Sequence, residues 1–135
     1  GAVAGDPLGQ ARDGDPDQGI AGQRADQTED AEVVYIAFGT QAQSAYLAMQ
    51  QARAKSVKAG MLRLITIWPF PEDAVRECCA KARLVVVPEM NLGQVRMLVV
   101  NALADTEAKV VGVNHVDSTY ILPEEILAKT EEFLP

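Results

Sequence analysis

From residue 31 onward, short runs of β-branched and aliphatic residues alternate with longer stretches of helical period. That alternation restricts the chain to parallel strands joined by helices. The VVYIAF run at 33–38 reads as a first strand, and Gly39 and Thr40 then turn the chain. Thr40 is a candidate N-cap for a helix over 41–55, whose Ala42, Ala45, Tyr46, Met49 and Ala52 share one face. MLRLITI at 61–67 reads as the second strand, stopped by Pro69 and Pro71. Pro71 suits the first turn of a helix reaching about Ala82, with Glu72 and Asp73 at its positive end. A wholly apolar third strand follows at 84–87, then a helix striped by Leu92, Val95, Leu98, Val99, Ala102 and Leu103. A fourth strand at 109–113 and a last helix opened by Pro123 complete the pattern.

Right-handed crossovers favour a flavodoxin-like strand order, 2-1-3-4, with helices on both faces. In that order a switch point lies between the first and third strands, where open α/β sheets meet ligands and partners. The segments leaving those strand ends are Gly39-Thr40-Gln41 and EMNLGQ at 89–94. Both are candidate site segments, the first as an anion or partner crevice.

Residues 1–30 are different in kind. They hold seven acids against Arg12 and Arg24, six of the ten glycines, and only Val3, Leu8 and Ile20 as large aliphatics. Such a stretch buries too little surface to offset its ordering entropy, so it is expected to be a flexible acidic linker or arm, with one domain over 31–135. The net charge of −7 opposes binding to nucleic acid or anionic membranes, and no apolar run is long enough to span a bilayer. The first residues do not read as a secretory signal, and adjacent Cys78 and Cys79 cannot close an ordinary disulfide loop. A reduced, cytoplasmic protein is the expectation. With one histidine and no CxxC or HExxH, a metal site of nitrogen and sulfur ligands is not expected.

Most individual motifs have ordinary explanations. Asp13, Asp15 and Asp17 have the alternate spacing of a calcium loop, but Gly19 falls one position late and Arg24 stands where the closing Glu belongs. Gly39-Thr40 before a helix resembles half of a phosphate-binding turn without the rest of a nucleotide fingerprint. Cys78-Cys79 fit core packing, and His115 has no partner identifiable from spacing. Trp68 and Phe70 are either staples of the strand-to-helix turn or an apolar anchor at a subunit contact. EMNLGQ is harder to dismiss. A helix cap accounts for one of its polar residues, with Asn91 the first choice, but not for Glu89, Asn91 and Gln94 together, and Gly93 permits close backbone approach.

Three segments, LRLITIWPFPEDAV at 62–75, VVVPEMNLGQ at 85–94 and VVGVNHVDSTYILPEEIL at 110–127, resemble the α subunit of 2-oxoacid:ferredoxin oxidoreductases, above all 2-oxoglutarate synthase. The resemblance runs over about residues 32–128 and lies in the family's C-terminal, transketolase-C-like domain. It implies a three-layer α/β/α fold with a mostly parallel sheet of four to five strands, the extra one antiparallel at an edge. It also implies an enzyme that converts a 2-oxoacid to an acyl-CoA with thiamine diphosphate, Mg, iron–sulfur clusters and CoA, a β subunit and ferredoxin as partners. This domain lacks the GDG-to-Asn diphosphate pattern and the four thiolates of a cluster, so no cofactor is expected on it. Its implied role is assembly, with Glu89, Asn91, Gly93 and Gln94 at an interface or supporting the cofactor region. Residues 1–30 do not match the family's lead-in, which leaves the edge strand without an assigned segment. Other readings are a stand-alone flavodoxin-like module for a small anion or effector, and the C-terminal domain of another thiamine enzyme, against which PEMNLGQ argues.

Overall fold

The computed structural model describes residues 23–90, 92–117 and 119–134. Residues 1–22, including the Asp13–Asp17 motif and most of the expected linker, lie outside the described residues, as do Asn91 and Ser118. The elements in chain order are β1 (Arg24–Asp26), β2 (Val33–Phe38), α1 (Gln41–Ala54), β3 (Ala59–Leu64), α2 (Glu72–Cys78), β4 (Leu84–Glu89), α3 (Gln94–Ala102), β5 (Lys109–Asn114) and α4 (Pro123–Phe133). The sheet order is β1-β3-β2-β4-β5. The four later strands run parallel in the order the sequence predicts, and β1 joins β3 antiparallel at the edge.

Each inner strand sends alternate residues to opposite faces, and both faces are covered, so the runs are mostly apolar. Val33, Tyr35, Met61 and Val86 face α1 and α4. Val34, Ile36, Leu62, Val85 and Val87 face α2 and α3, where Val75, Cys78, Val95 and Val99 complete the second core. The result is the expected three-layer α/β/α fold.

Residues 23–30, the described part of the expected linker, contact the domain. Gln23 Oε1 accepts the N–H groups of Ile65 at 2.5 Å and Thr66 at 3.1 Å, just past the end of β3. β1 then pairs Arg24 with Arg63 and Asp26 with Met61. Arg53 ties the following turn down by donating to Asp30 Oδ1 at 2.6 Å and to the Gln27 carbonyl at 3.1 Å. Gly60 permits this approach, because a Cβ there would stand 2.5 Å from the Gln27 carbonyl oxygen. Among the described residues, Gln23 to Asp30 thus contact the sheet and α1 ahead of residue 31.

Two further boundaries move. β3 runs from Ala59 to Leu64 rather than over 61–67, and α2 ends at Cys78 instead of reaching Ala82. Thr40 holds the N-cap position of α1 without a side-chain cap bond.

Candidate functional site

The carboxyl ends of β2 and β4 lie side by side, and the chain leaves them in opposite directions across the sheet. Between them is a cleft of about 290 Å³. Ile36, Phe38, Gly39, Thr40 and Gln41 form one wall, and Pro88, Glu89, Met90 and Val95 the other. The two segments singled out from the sequence thus meet at the switch point. Gly39 takes φ +66°, a left-handed conformation suited to glycine, which lets α1 start immediately.

Glu89 is the last residue of β4 and is buried. Its Oε2 accepts the N–H of Val95 at 2.9 Å and its Oε1 the N–H of Arg96 at 3.1 Å. The carboxylate therefore caps α3 from the preceding strand, satisfying two of the amides that a helix start leaves unpaired. The expected cap from Asn91 falls on a residue outside the described set, and the observed cap is Glu89. Gly93 makes the turn between them at φ +99°. Gln94, the first residue of α3, is exposed and does not line the cleft.

Gln41 is the residue whose behaviour the sequence did not signal. Its side chain is buried, with the residue 3% exposed, and Nε2 donates to Thr40 Oγ1 at 3.3 Å. Its Oε1 has no hydrogen-bond partner among the described residues. No lysine or arginine is among the described residues lining the cleft, and a carboxylate is, which makes the walls a poor match for a small anion.

The connections after β3, β4 and β5 carry exposed apolar side chains. Trp68 is 82% exposed after β3, and Leu92 is 80% exposed after β4. Ile65, Val116, Tyr120 and Leu122 are also exposed, in the connections that follow β3 and β5. Phe70 behaves differently, packing half-buried on the core beside α2 and α3. Of the two aromatic residues offered either as staple or as anchor, Phe70 is placed inward and Trp68 outward.

His115, at the end of β5, has two hydrogen-bonded sides. Its Nε2 lies 2.7 Å from Glu125 Oε1, and its Nδ1 lies 2.8 Å from Thr119 Oγ1. Thr119 Oγ1 donates to Asp117 Oδ1 at 2.7 Å, so it can only accept from Nδ1. Both ring nitrogens consequently face acceptors, the pattern of an imidazolium. The Glu125 carboxylate beside it raises the His115 pKa, while the N–H of Leu122 and the imidazole hold Glu125 low.

A match to a protein family covers residues 31–126, from the start of β2 into α4, and is described as pyruvate:ferredoxin oxidoreductase core domain II. The chain belongs to that family. It is 36% identical over 102 residues to 2-oxoglutarate synthase subunit KorA of Methanothermobacter marburgensis, covering 76% of this chain and 27% of that one. It is 35% identical over 104 residues to ketoisovalerate oxidoreductase subunit VorB of the same organism, covering 77% and 29%. The chain thus spans little more than a quarter of these relatives. Its fold matches 2-oxoglutarate:ferredoxin oxidoreductase from Magnetococcus marinus, solved with 2-oxoglutarate, coenzyme A and succinyl-CoA, at a TM-score of 0.67 and 23% identity, over 82% of this chain and 19% of that one.

Cys78 and Cys79 are buried, and burial raises the Cys78 pKa to about 11 and that of Cys79 further still, so neither offers the thiolate that a cluster binds. The described residues contain no group of three or more His, Cys, Asp or Glu side chains arranged to hold a metal ion. No described helix is long and apolar enough to cross a membrane.

Proposed function

We propose that this chain is the assembly domain of a cytoplasmic, thiamine-diphosphate-dependent 2-oxoacid:ferredoxin oxidoreductase, not catalytic by itself. The observation that carries this reading is the apolar surface around one end of the sheet. Phe38, Ile65, Trp68, Leu92, Val116 and Tyr120 all lie at or after the carboxyl ends of parallel strands, and large apolar side chains concentrated in this way mark a contact surface. On this reading the surface packs against the β subunit and the remaining domains, which carry thiamine diphosphate with Mg, the iron–sulfur clusters and the CoA site. Electrons released on oxidative decarboxylation pass from there to ferredoxin. The substrate is a 2-oxoacid, with 2-oxoglutarate favoured by the likeness to KorA. Glu89 supports the interface by fixing the start of α3, while Asn91, Gly93 and Gln94 contribute to the contact loop.

Co-expression of the complete subunit with its companion subunits tests this. Trp68→Asp and Leu92→Asp, both at exposed positions, are expected to leave the subunit folded and to release it from the complex on gel filtration. Full assembly and turnover in both variants would overturn the reading.

A further inference from the structure

The cleft between β2 and β4 holds a buried polar atom that no described residue satisfies. Gln41 anchors one end of its amide on Thr40 Oγ1 and leaves the other without a partner among the described residues. An orphaned buried amide is costly, and the cost persists unless a further group meets it. The surroundings narrow what that is. Ile36, Phe38, Pro88 and Met90 make the walls largely apolar. Each carboxylate oxygen of Glu89 already accepts an amide of α3, which engages the group as a helix cap and makes it a poorer partner for a cation. The absence of a cationic side chain among its described lining residues speaks equally against an anion.

We propose that this cleft receives a peptide segment from another part of the same oxidoreductase, one apolar side chain entering between Phe38 and Met90 while a main-chain peptide group meets the free end of the Gln41 amide. A peptide unit carries both an N–H and a C=O, so it pairs with the amide in either orientation of that side chain. Phe38 lines the cleft and is also one of the exposed residues of the apolar surface assigned above to assembly; the inference rests on that assignment. Gln41 is then a residue whose stability cost is retained for recognition.

The test is amide hydrogen exchange at residues 38–42 and 88–95, compared between the isolated complete subunit and the assembled enzyme, together with Gln41→Leu. Exchange in both segments is expected to slow on assembly. Gln41→Leu is expected to raise the melting temperature of the isolated subunit, because the orphan is gone, and to weaken assembly by about tenfold or more. The exchange measurement needs no variant and stands even if Gln41→Leu misfolds. Native assembly with unchanged exchange in both segments would overturn the cleft while sparing the assembly role. Slowed exchange in the isolated subunit on adding inorganic phosphate would replace the peptide with an anion. If the native subunit does not associate with its companions at all, the assembly reading falls, and this inference with it.

Discussion

Tyr35 donates its hydroxyl to Thr130 Oγ1 across 2.8 Å, joining the central strand β2 to the last helix inside the core. The direction follows from Thr130, whose own hydroxyl proton goes to the Ile126 carbonyl at 2.8 Å. Burial pushes the Tyr35 pKa up, so the phenol remains a neutral donor. Tyr35→Phe is expected to cost about 1 kcal/mol, since Thr130 keeps its bond to Ile126. Thr130→Val is expected to cost more, roughly 2 kcal/mol, because it leaves the Tyr35 hydroxyl buried without its acceptor. The double variant should recover part of that loss. Denaturant unfolding of the four proteins measures the coupling, and strict additivity would show the bond to be unimportant.

Glu89 gives a second prediction. Its two oxygens hold the N–H groups of Val95 and Arg96, so Glu89→Ala is expected to destabilise the isolated domain by about 2 kcal/mol. Glu89→Gln keeps one acceptor and loses less. Amide exchange at Val95 and Arg96 should quicken in the alanine variant ahead of the rest of α3. Wild-type stability with impaired assembly would instead place the whole role of Glu89 in the interface.

These two residues also show what sequence can and cannot carry. The inner strands are legible because coverage of both faces makes each a largely apolar run, and the crossover rule orders them. β1 is not, because its bonds to β3 are main-chain bonds and only Ala25 of its three residues enters the core. The end of β3 was missed for a related reason: Gln23, distant in sequence, takes the N–H groups of Ile65 and Thr66. At the site, the switch point brought Gly39 and Glu89 together correctly. Local capping rules point to Asn91, which lies outside the described residues, whereas Glu89 caps α3 from the strand before it, a reach those rules do not cover. A polar residue ending a wholly apolar strand was the available signal. The unpartnered Gln41 amide left none, since satisfaction of a buried atom depends on side-chain directions across two strands.

The thiols are expected to be silent in the folded protein. Cys78 and Cys79 are buried, and burial holds both pKa values high, with Cys78 at about 11. The thiolate is the reactive form, so neither should react with a thiol-specific disulfide reagent at neutral pH until the domain unfolds. Both should then react together at the rate of opening. Rapid labelling of the native chain would show that α2 opens independently of the sheet.

The clasp around His115 should make stability depend on pH in a definite direction. His115 faces Glu125 on α4 and Thr119 and Asp117 in its own loop, and its pKa is raised above the ordinary 6.5, chiefly by the hydrogen bond to Glu125. A raised folded-state pKa means that the folded protein holds the proton more tightly than the unfolded chain. The stabilisation is therefore fully present below the ordinary imidazole pKa and is lost as pH rises through the folded value. Glu125 works oppositely: its folded pKa is lowered from 4.5, first by the N–H of Leu122, so its contribution fades as pH falls through that lowered value. The clasp is thus strongest where both charges exist, around pH 5 to 6 on ordinary side-chain values. His115→Gln is expected to lower the melting temperature most in that window and progressively less toward about pH 9. A melting-temperature difference between the two proteins that is flat across this range would mean that the imidazole is held neutral, and that the contact with Glu125 is a simple hydrogen bond.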